Sequence, residues 1–174
     1  MPRPASAPPA AAPAPSAPAD RPRVTTVGYE GTTVDAFLDA LRAAGVDLLV
    51  DVRALAVSRR PGFAKTRLAA HLADAGIAYE HLRALGTPAE GRAAARAGRH
   101  AAMRAVFAAH LAEPAAQAGL DALAERVRAG RRVCLLCFEA DPAHCHRLLV
   151  ADALAERLPV EVVHLRPGVD PDPA

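Results

Sequence analysis

The sequence predicts an α/β domain with a mainly parallel sheet of about five strands and helices on both faces. Segments with the apolar spacing of helices alternate along the chain with short apolar runs typical of strands. The run Val46–Val52 is apolar at nearly every position, as expected of a strand that is covered on both faces. The 174 residues are enough for one such domain with a sizeable core.

The first half of the domain is predicted to contain three strands and two helices. The strands cover Val24–Gly28, Val46–Val52 and Ile77–Leu82. The first helix begins where Thr32 and Asp35 form the pattern of a capping box, and it ends at Gly45. The second helix covers Lys65–Ala75, after an irregular loop.

The second half begins with a long loop over Leu85–Gly98, which is rich in arginine and is expected to act as a lid or a partner surface. The elements that follow are helices over Met103–Leu111 and Leu120–Val127, a strand over Val133–Phe138, a helix ending near Leu158, and a strand over Val160–Leu165. Pro142 suits the first position of the last helix because Asp141 precedes it as a cap. His100 and His110 are expected on an exposed helix surface.

The two ends of the chain differ from the domain in composition. Residues 1–22 are mostly proline, alanine and serine, which predicts a disordered tail, and 167–174 form a shorter flexible tail. The single folded domain is therefore expected to span 23–166. The N-terminal tail lacks the apolar segment of a signal peptide, and no apolar run approaches the roughly 20 residues of a membrane span. With three cysteines and no such signal, we expect a cytoplasmic protein with no membrane contact.

Polar residues follow four of the predicted strands, at the point where each strand ends. They are Gly28, Tyr29, Glu30, Asp51, Arg53, His81, Cys137 and Glu139. The carboxyl ends of parallel strands share one edge, where α/β proteins bind ligands, so we expect these residues in one cleft. Glu30 and Glu139 could divide the roles of general acid and general base there. The net charge is only +2, which disfavours binding through bulk electrostatics alone.

The strand-to-helix turn over 137–147 carries the densest set of reactive groups. Cys137 ends the strand, Glu139 follows it, and Cys145, His146 and Arg147 lie in the early turns of the predicted helix. A thiol beside an imidazole near a helix start can serve as a nucleophile. We therefore take Cys137, Glu139, Cys145 and His146 as candidate catalytic residues; the alternative for the cysteines is a role as small buried apolar residues.

Metal binding at this turn is less favoured than catalysis. Cys137, His144, Cys145 and His146 are potential ligands, but successive residues of a helix diverge by roughly 100°. At most two or three of them could reach one ion, and the paired C-x2-C spacing of structural zinc is absent. No metal ligand and no cofactor are therefore assigned. Cys134, in the middle of a strand, is expected to be a buried apolar residue.

A second loop has the composition of a phosphate-binding segment. The candidate residues for binding phosphate or a base are Arg53, Ser58, Arg59, Arg60, Phe63 and Arg147, with Tyr29 as a second aromatic ring for stacking. The alternatives are a solvated basic loop and, for Arg53, an ion pair with Asp51 on the same face of the strand. The glycine motifs of dinucleotide-binding and P-loop sites are absent, as is the Cys-x5-Arg loop of cysteine phosphatases.

With these motifs, the sequence resembles the uncharacterised family named domain of unknown function 488. The resemblance extends over Val24–Leu165 and depends on several short segments. They are Thr26–Gly31, Leu49–Arg53, Ser58–Phe63, Tyr79–Leu82 with Leu85-Gly86, Cys137-x-Glu139, and His144–Arg147. The resemblance implies a Rossmann-like three-layer fold and a cleft lined by these motifs, but no activity. Thr87 stands where family members often have a second glycine, so that loop is expected to differ in shape.

Three functions are consistent with these residues. The first is an enzyme acting on a phosphate-bearing substrate, a nucleotide or nucleic acid, in the Cys/His/Glu/Arg-lined cleft. The second is a non-catalytic module that binds the same ligands. The third is a thiol-redox or metal-binding protein built on Cys137 and Cys145. We favour the enzyme, and the helices near Met103 and Leu120 are a candidate homodimer interface.

Overall fold

The computed structural model describes residues 21–168 and confirms the predicted α/β fold. Its strands are β1 (Arg23–Gly28), β2 (Leu48–Asp51), β3 (Ala78–His81), β4 (Val133–Cys137) and β5 (Glu161–His164). Its α-helices are α1 (Val34–Ala43), α2 (Lys65–Asp74), α3 (Ala89–Arg96), α4 (His100–Leu111), α5 (Pro114–Arg128) and α6 (His146–Arg157). The predicted tails over 1–22 and 167–174 lie almost wholly outside the described residues. Between 21 and 168, no helix has both the length and the apolar character needed to cross a membrane.

The strands form one sheet in the order β3-β2-β4-β1-β5, and every neighbouring pair is parallel. β4 therefore lies between β1 and β2, although it comes much later in the chain. Gly28 at the end of β1 is aligned with Cys137, and Asp51 at the end of β2 is aligned with Leu136. The segments that follow these three strands consequently meet at one edge of the sheet.

The sheet separates two apolar cores, one on each face. Cys134 and Leu136 of β4 point into the core that is shared with α1 and α2. Val133, Leu135 and Cys137 alternate with them and point into the core that is shared with α4, α5 and α6. Both faces are covered by helices, so the domain is the predicted three-layer sandwich.

The segment predicted as a long loop, Leu85–Gly98, contains α3, and that prediction is wrong. Only Gly91 and Ala94 of this helix are buried, so it lacks the large apolar residues from which helical spacing is recognised. The sequence did carry weaker signals of a helix, because the acidic Glu90 lies in the first turn and the basic Arg96 in the last turn, where each charge interacts favourably with the helix dipole. The helix places its arginines in fixed positions that a loop would not have.

Two helix starts also differ from the predictions. α1 is capped by Thr33, whose hydroxyl accepts a hydrogen bond from Ala36 N at 3.2 Å, and not by Thr32. Asp141 caps only a 3₁₀ turn over Pro142–His144. Cys145 is extended, with φ −126° and ψ 142°, and precedes the first residue of α6. The rotation of 100° between successive helical residues therefore does not relate Cys145 to His146.

Candidate functional site

A pocket of about 820 Å³ opens at the carboxyl ends of β1, β2 and β4. Its volume lies in the range of sites that bind small molecules, which is about 300–1,000 Å³. Nine predicted site residues line it, namely Tyr29, Glu30, Arg53, Ser58, Arg59, Arg60, Cys137, Glu139 and His146. α3 and α4 add Arg92, Arg96 and His100 to the lining.

The other six predicted site residues do not contribute to the pocket surface. They are Gly28, Asp51, Phe63, His81, Cys145 and Arg147. Five of them are buried, and His81 is half-buried with its Nε2 atom 2.7 Å from the carbonyl oxygen of Arg53. These residues hold the lining in position, with the exception of Cys145, which belongs to the reactive cluster described below.

Asp51 and Arg53 form a buried ion pair beneath the pocket, which is the alternative that the sequence left open. Arg53 Nε and Nη2 donate to the two carboxylate oxygens of Asp51 at 2.9 and 2.6 Å. Arg53 Nη1 donates to Tyr29 Oη at 3.1 Å and to the Phe63 carbonyl at 2.9 Å. Burial opposes the charge on Arg53, but the hydrogen bonds and charge of Asp51 outweigh it and raise the pKa of the guanidinium. Arg53 is thus largely committed to partners within the protein.

Phe63 does not have a free face for stacking on a base. Its ring is buried and stacks on Tyr29 with the ring centroids 4.5 Å apart. Tyr29 is buried as well and meets Phe138 in an edge-to-face contact at 5.2 Å. Phe138 lines the pocket and is 39% exposed, so it is the aromatic ring that a ligand can reach.

Arg147 holds the turn after β4; its side chain is fully buried and does not line the pocket where it was expected to bind phosphate. Its guanidinium donates to the carbonyl oxygens of Glu139 and Ala140, and its Nε donates to Thr26 Oγ1 at 3.2 Å. Gly28 lies against the same turn. A Cβ atom at Gly28 would lie 1.8 Å from the Glu139 carbonyl oxygen, so glycine alone permits this close approach.

Glu30 links the turns that follow β1 and β4. Its main-chain N–H donates to the Phe138 carbonyl at 2.8 Å, and its Oε2 accepts a hydrogen bond from Ala140 N at 2.9 Å. Glu139 points elsewhere, with its Oε2 atom 3.4 Å from Cys137 Sγ. Both carboxylates line the pocket, but only Glu139 contacts the Cys137 thiol.

Cys137, Cys145 and His146 form a buried cluster where β4 ends, called the Cys/His cluster below. Their Sγ and ring nitrogen atoms all lie within 4.8 Å of one another, and Cys137 Sγ is 3.5 Å from His146 Nδ1. His146 Nε2 lies 2.8 Å from the Val52 carbonyl oxygen, which can only accept. Nε2 therefore carries a proton and Nδ1 faces the thiols; in the neutral imidazole Nδ1 presents its lone pair to them. Burial raises the pKa of Cys145 well above its usual value.

The third cysteine lies apart from this cluster. Cys134 points into the core on the opposite face of the sheet and is fully buried, as predicted. Burial raises the pKa of its thiol to about 12. Cys134 is therefore a suitable control position in experiments on Cys137 and Cys145.

The pocket holds a stacked pair of histidines, His100 and His144; His144 was named as a potential metal ligand, but its pairing with His100 was not predicted. Their ring centroids are 4.3 Å apart, their planes differ by 7°, and both rings line the pocket. His100 lies at the start of α4, as expected, and is half-buried because its ring packs against His144 at the pocket. His110 is also half-buried, with Nε2 2.8 Å from the Ala84 carbonyl. Only the fold brings His100 to His144, so no local pattern could reveal the pair.

Four arginines that line the pocket have no carboxylate within 4.0 Å in the described part of the chain. They are Arg59, Arg60, Arg92 and Arg96. Arg60 Nη2 donates to the Thr32 carbonyl at 2.6 Å, and Arg92 Nη1 donates to the Thr87 carbonyl at 2.9 Å. These bonds orient two of the guanidinium groups without neutralising their charge.

The pocket also collects exposed apolar surface. Across residues 21–168, the large apolar side chains that are exposed are Leu55, Val57 and Phe138, and all three line the pocket. An apolar rim beside unpaired guanidinium groups is the surface expected for a ligand with both an apolar and an anionic part.

The comparison with protein families agrees with this arrangement of motifs. Residues 33–154, most of the chain, match the family described as Domain of unknown function DUF488. The chain is a DUF488 protein. The Cys/His cluster and the four arginines lie within the matched residues, whereas Tyr29 and Glu30 lie before them.

Membership of the DUF488 family confirms the resemblance seen in the sequence, over a shorter range than the expected Val24–Leu165. The family description assigns no activity, and no curated protein matches the chain. The function of this DUF488 protein must therefore be argued from the chemistry of its pocket.

Proposed function

We propose that this DUF488 protein is an enzyme that acts on a phosphate-bearing substrate of nucleotide size. One observation carries the proposal: unpaired arginines and a Cys137, His146 and Glu139 group line the same pocket. The arginines supply recognition of an anion, and the other three side chains supply groups that exchange protons or act as nucleophiles.

Two unsatisfied nitrogen atoms support phosphate recognition. In residues 21–168, the buried side-chain nitrogen atoms that lack a hydrogen-bond partner are Arg60 Nε and His100 Nδ1, and both side chains line the pocket. A buried donor without a partner costs about 1–3 kcal/mol, and a ligand oxygen would remove that cost once a side-chain rotation turns the nitrogen toward the pocket. Guanidinium groups also match the geometry of phosphate oxygens.

The apolar rim supports a nucleotide over a smaller phosphorylated metabolite. Phe138 offers an accessible aromatic ring beside Leu55 and Val57, and base stacking on such rings contributes about 1–3 kcal/mol. A sugar phosphate has no flat apolar part to cover this surface.

The carboxylates favour an enzyme over a module that only binds. Glu30, Glu139 and Asp141 line a pocket that would receive an anion, where their charge weakens binding. Glu30 and Asp141 have structural partners, since Glu30 accepts a hydrogen bond from Ala140 N and Asp141 caps the 3₁₀ turn. A pure binding site, by contrast, gives no such role to Glu139. Glu139 is half-buried and touches the Cys137 thiol, so it can exchange a proton with either the cluster or a bound substrate.

The first test concerns binding. A thermal-shift screen of tag-free protein with nucleotides, short oligonucleotides and sugar phosphates should show a nucleotide or oligonucleotide that raises the Tm by several degrees. Arg59→Ala should weaken that ligand about 10- to 100-fold, the loss expected for one charge-assisted hydrogen bond. Arg42→Ala, an exposed arginine of α1, should leave Kd unchanged. A screen without hits, or an equal loss in both variants, would contradict the proposal.

The second test concerns turnover of the ligand found by the screen. Glu139→Gln keeps the shape of the side chain but removes its proton-accepting charge, so turnover should fall about 10²- to 10⁴-fold while the ligand binds equally well or more tightly. Glu90→Gln, on the first turn of α3, is the matched control. Binding without any turnover by the unmodified protein would leave a binding module and refute the enzyme.

A further inference from the structure

We infer that Cys137, Cys145 and His146 bind a zinc ion, with a fourth coordination position left for water or substrate. The inference goes beyond the proposed function and does not depend on it; with the ion bound, Cys137 and His146 act as ligands and Glu139 is the group of the three that exchanges a proton. It also gives a role to Cys145, a buried thiol that does not reach the pocket surface and that substrate recognition does not use.

The spacing of the three side chains is that of a zinc site. Zn–S bonds of about 2.3 Å and Zn–N bonds of about 2.0–2.1 Å at tetrahedral angles place neighbouring ligand atoms roughly 3.5–3.8 Å apart. Cys137 Sγ and His146 Nδ1 are 3.5 Å apart, and all three ligand atoms lie within 4.8 Å of one another. Small rotations of side chains are enough to close the remaining distance.

The imidazole is already oriented for coordination. His146 Nε2 donates to the Val52 carbonyl at 2.8 Å, so the Nδ1 lone pair is directed at the two thiols. A metal-bound histidine usually donates its other N–H to a carbonyl or carboxylate, which holds the ring and its tautomer. The carbonyl oxygen of Val52 provides this support from the end of β2.

The ligand set selects the metal. Two sulfur atoms and one imidazole nitrogen suit Zn²⁺ and not Mg²⁺ or Ca²⁺, which take oxygen ligands. Three protein ligands are typical of zinc sites that keep one position open, and such an ion would lower the pKa of bound water and polarise a substrate. Glu139, 3.4 Å from Cys137 Sγ but outside the cluster of three, is placed to accept a proton beside the ion.

The local backbone explains why the sequence argued against a metal. The objection was that successive helical residues point in different directions. Cys145 is extended and lies between the 3₁₀ turn Pro142–His144 and α6, so the objection does not apply to it. The break in the helix turns Cys145 and His146 into the same buried space beside Cys137.

The test is metal analysis of tag-free, full-length protein expressed with added Zn²⁺ and purified under reducing conditions without chelator. We expect close to one zinc per chain. Cys145→Ala should bind Zn²⁺ at least about tenfold more weakly in competition with a chromogenic chelator. The controls are Cys134→Ala, which removes the one cysteine outside the cluster, and His144→Ala, which removes a neighbouring histidine; both should keep the ion.

A spectroscopic measurement on the unmodified protein tests the same site without depending on how well the variants fold. Replacement of the ion in the unmodified protein by Co²⁺ should give thiolate-to-cobalt charge-transfer absorption and visible bands of tetrahedral intensity. Protein that takes up neither Zn²⁺ nor Co²⁺, or equal losses in Cys134→Ala and Cys145→Ala, would overturn the inference. Zinc without any phosphate-bearing ligand would overturn the proposed function alone, and turnover by a protein that takes up neither Zn²⁺ nor Co²⁺ would overturn the zinc site alone.

Discussion

Replacement of Asp51 by alanine is expected to lower the free energy of unfolding by about 3–5 kcal/mol, the usual loss when one partner of a buried ion pair is removed. Asp51 and Arg53 are 0% and 5% exposed, and their closest oxygen and nitrogen atoms are 2.6 Å apart. Without the carboxylate, the Arg53 charge stays buried and the Tyr79 hydroxyl loses its acceptor. The change is measured by urea unfolding monitored by circular dichroism.

Two further variants separate the buried charge from other effects of the substitution. Asp39→Ala removes a carboxylate from an exposed pair on α1 and should cost no more than about 1 kcal/mol. The double variant Asp51→Leu with Arg53→Met should be more stable than Asp51→Ala, because it leaves no unpaired charge. If Asp51→Ala proved as mild as Asp39→Ala, the ion pair would not be buried as described.

Replacement of Arg147 by methionine is expected to lower the free energy of unfolding by about 2–5 kcal/mol. Methionine fills much of the space of the aliphatic stem, so the main loss is that of the hydrogen bonds to the Glu139 and Ala140 carbonyls and to Thr26. A buried acceptor left without a partner costs about 1–3 kcal/mol; the cost falls mainly on the two partly buried carbonyls, because Thr26 Oγ1 keeps its contact with His164 Nδ1. Urea unfolding measures the total loss.

Hydrogen exchange shows whether the loss is local to the turn after β4. The main-chain amides of Glu30 and Ala140 bond across this turn, so both should exchange faster in Arg147→Met. Arg42→Met, on the exposed surface of α1, should change neither stability nor exchange by a measurable amount. Unchanged exchange at Glu30 and Ala140 would show that Arg147 does not hold the turn.

Arg147 and Phe63 show where prediction of the site from sequence failed. Both belong to motifs that were correctly placed at the edge of the sheet, but both side chains turn inward and are buried. Position along the chain predicts which strand end a residue follows. It does not predict whether an arginine faces a ligand or two backbone carbonyls, because that depends on the shape of a turn built from residues on two strands.

α3 shows a different kind of failure. Its alanines and arginines carry no apolar stripe, so the pattern that identified α1 and α4 was absent. The helix forms against α4, and it brings Arg92 and Arg96 to the pocket. Half of the unpaired arginines of the pocket therefore came from a segment that was predicted to be a loop.

The sequence by itself determined the α/β class, the strands and most of the helices, and the residues that follow each strand, because these depend on spacing over a few residues. Tertiary structure alone decided the order of the strands. By placing β4 between β1 and β2, it set Cys137 beside Gly28 and carried His146 to the Val52 carbonyl. It also brought His100 to His144. These contacts join residues far apart in the chain, so they arise from packing of the whole sheet and its helices and leave no local pattern.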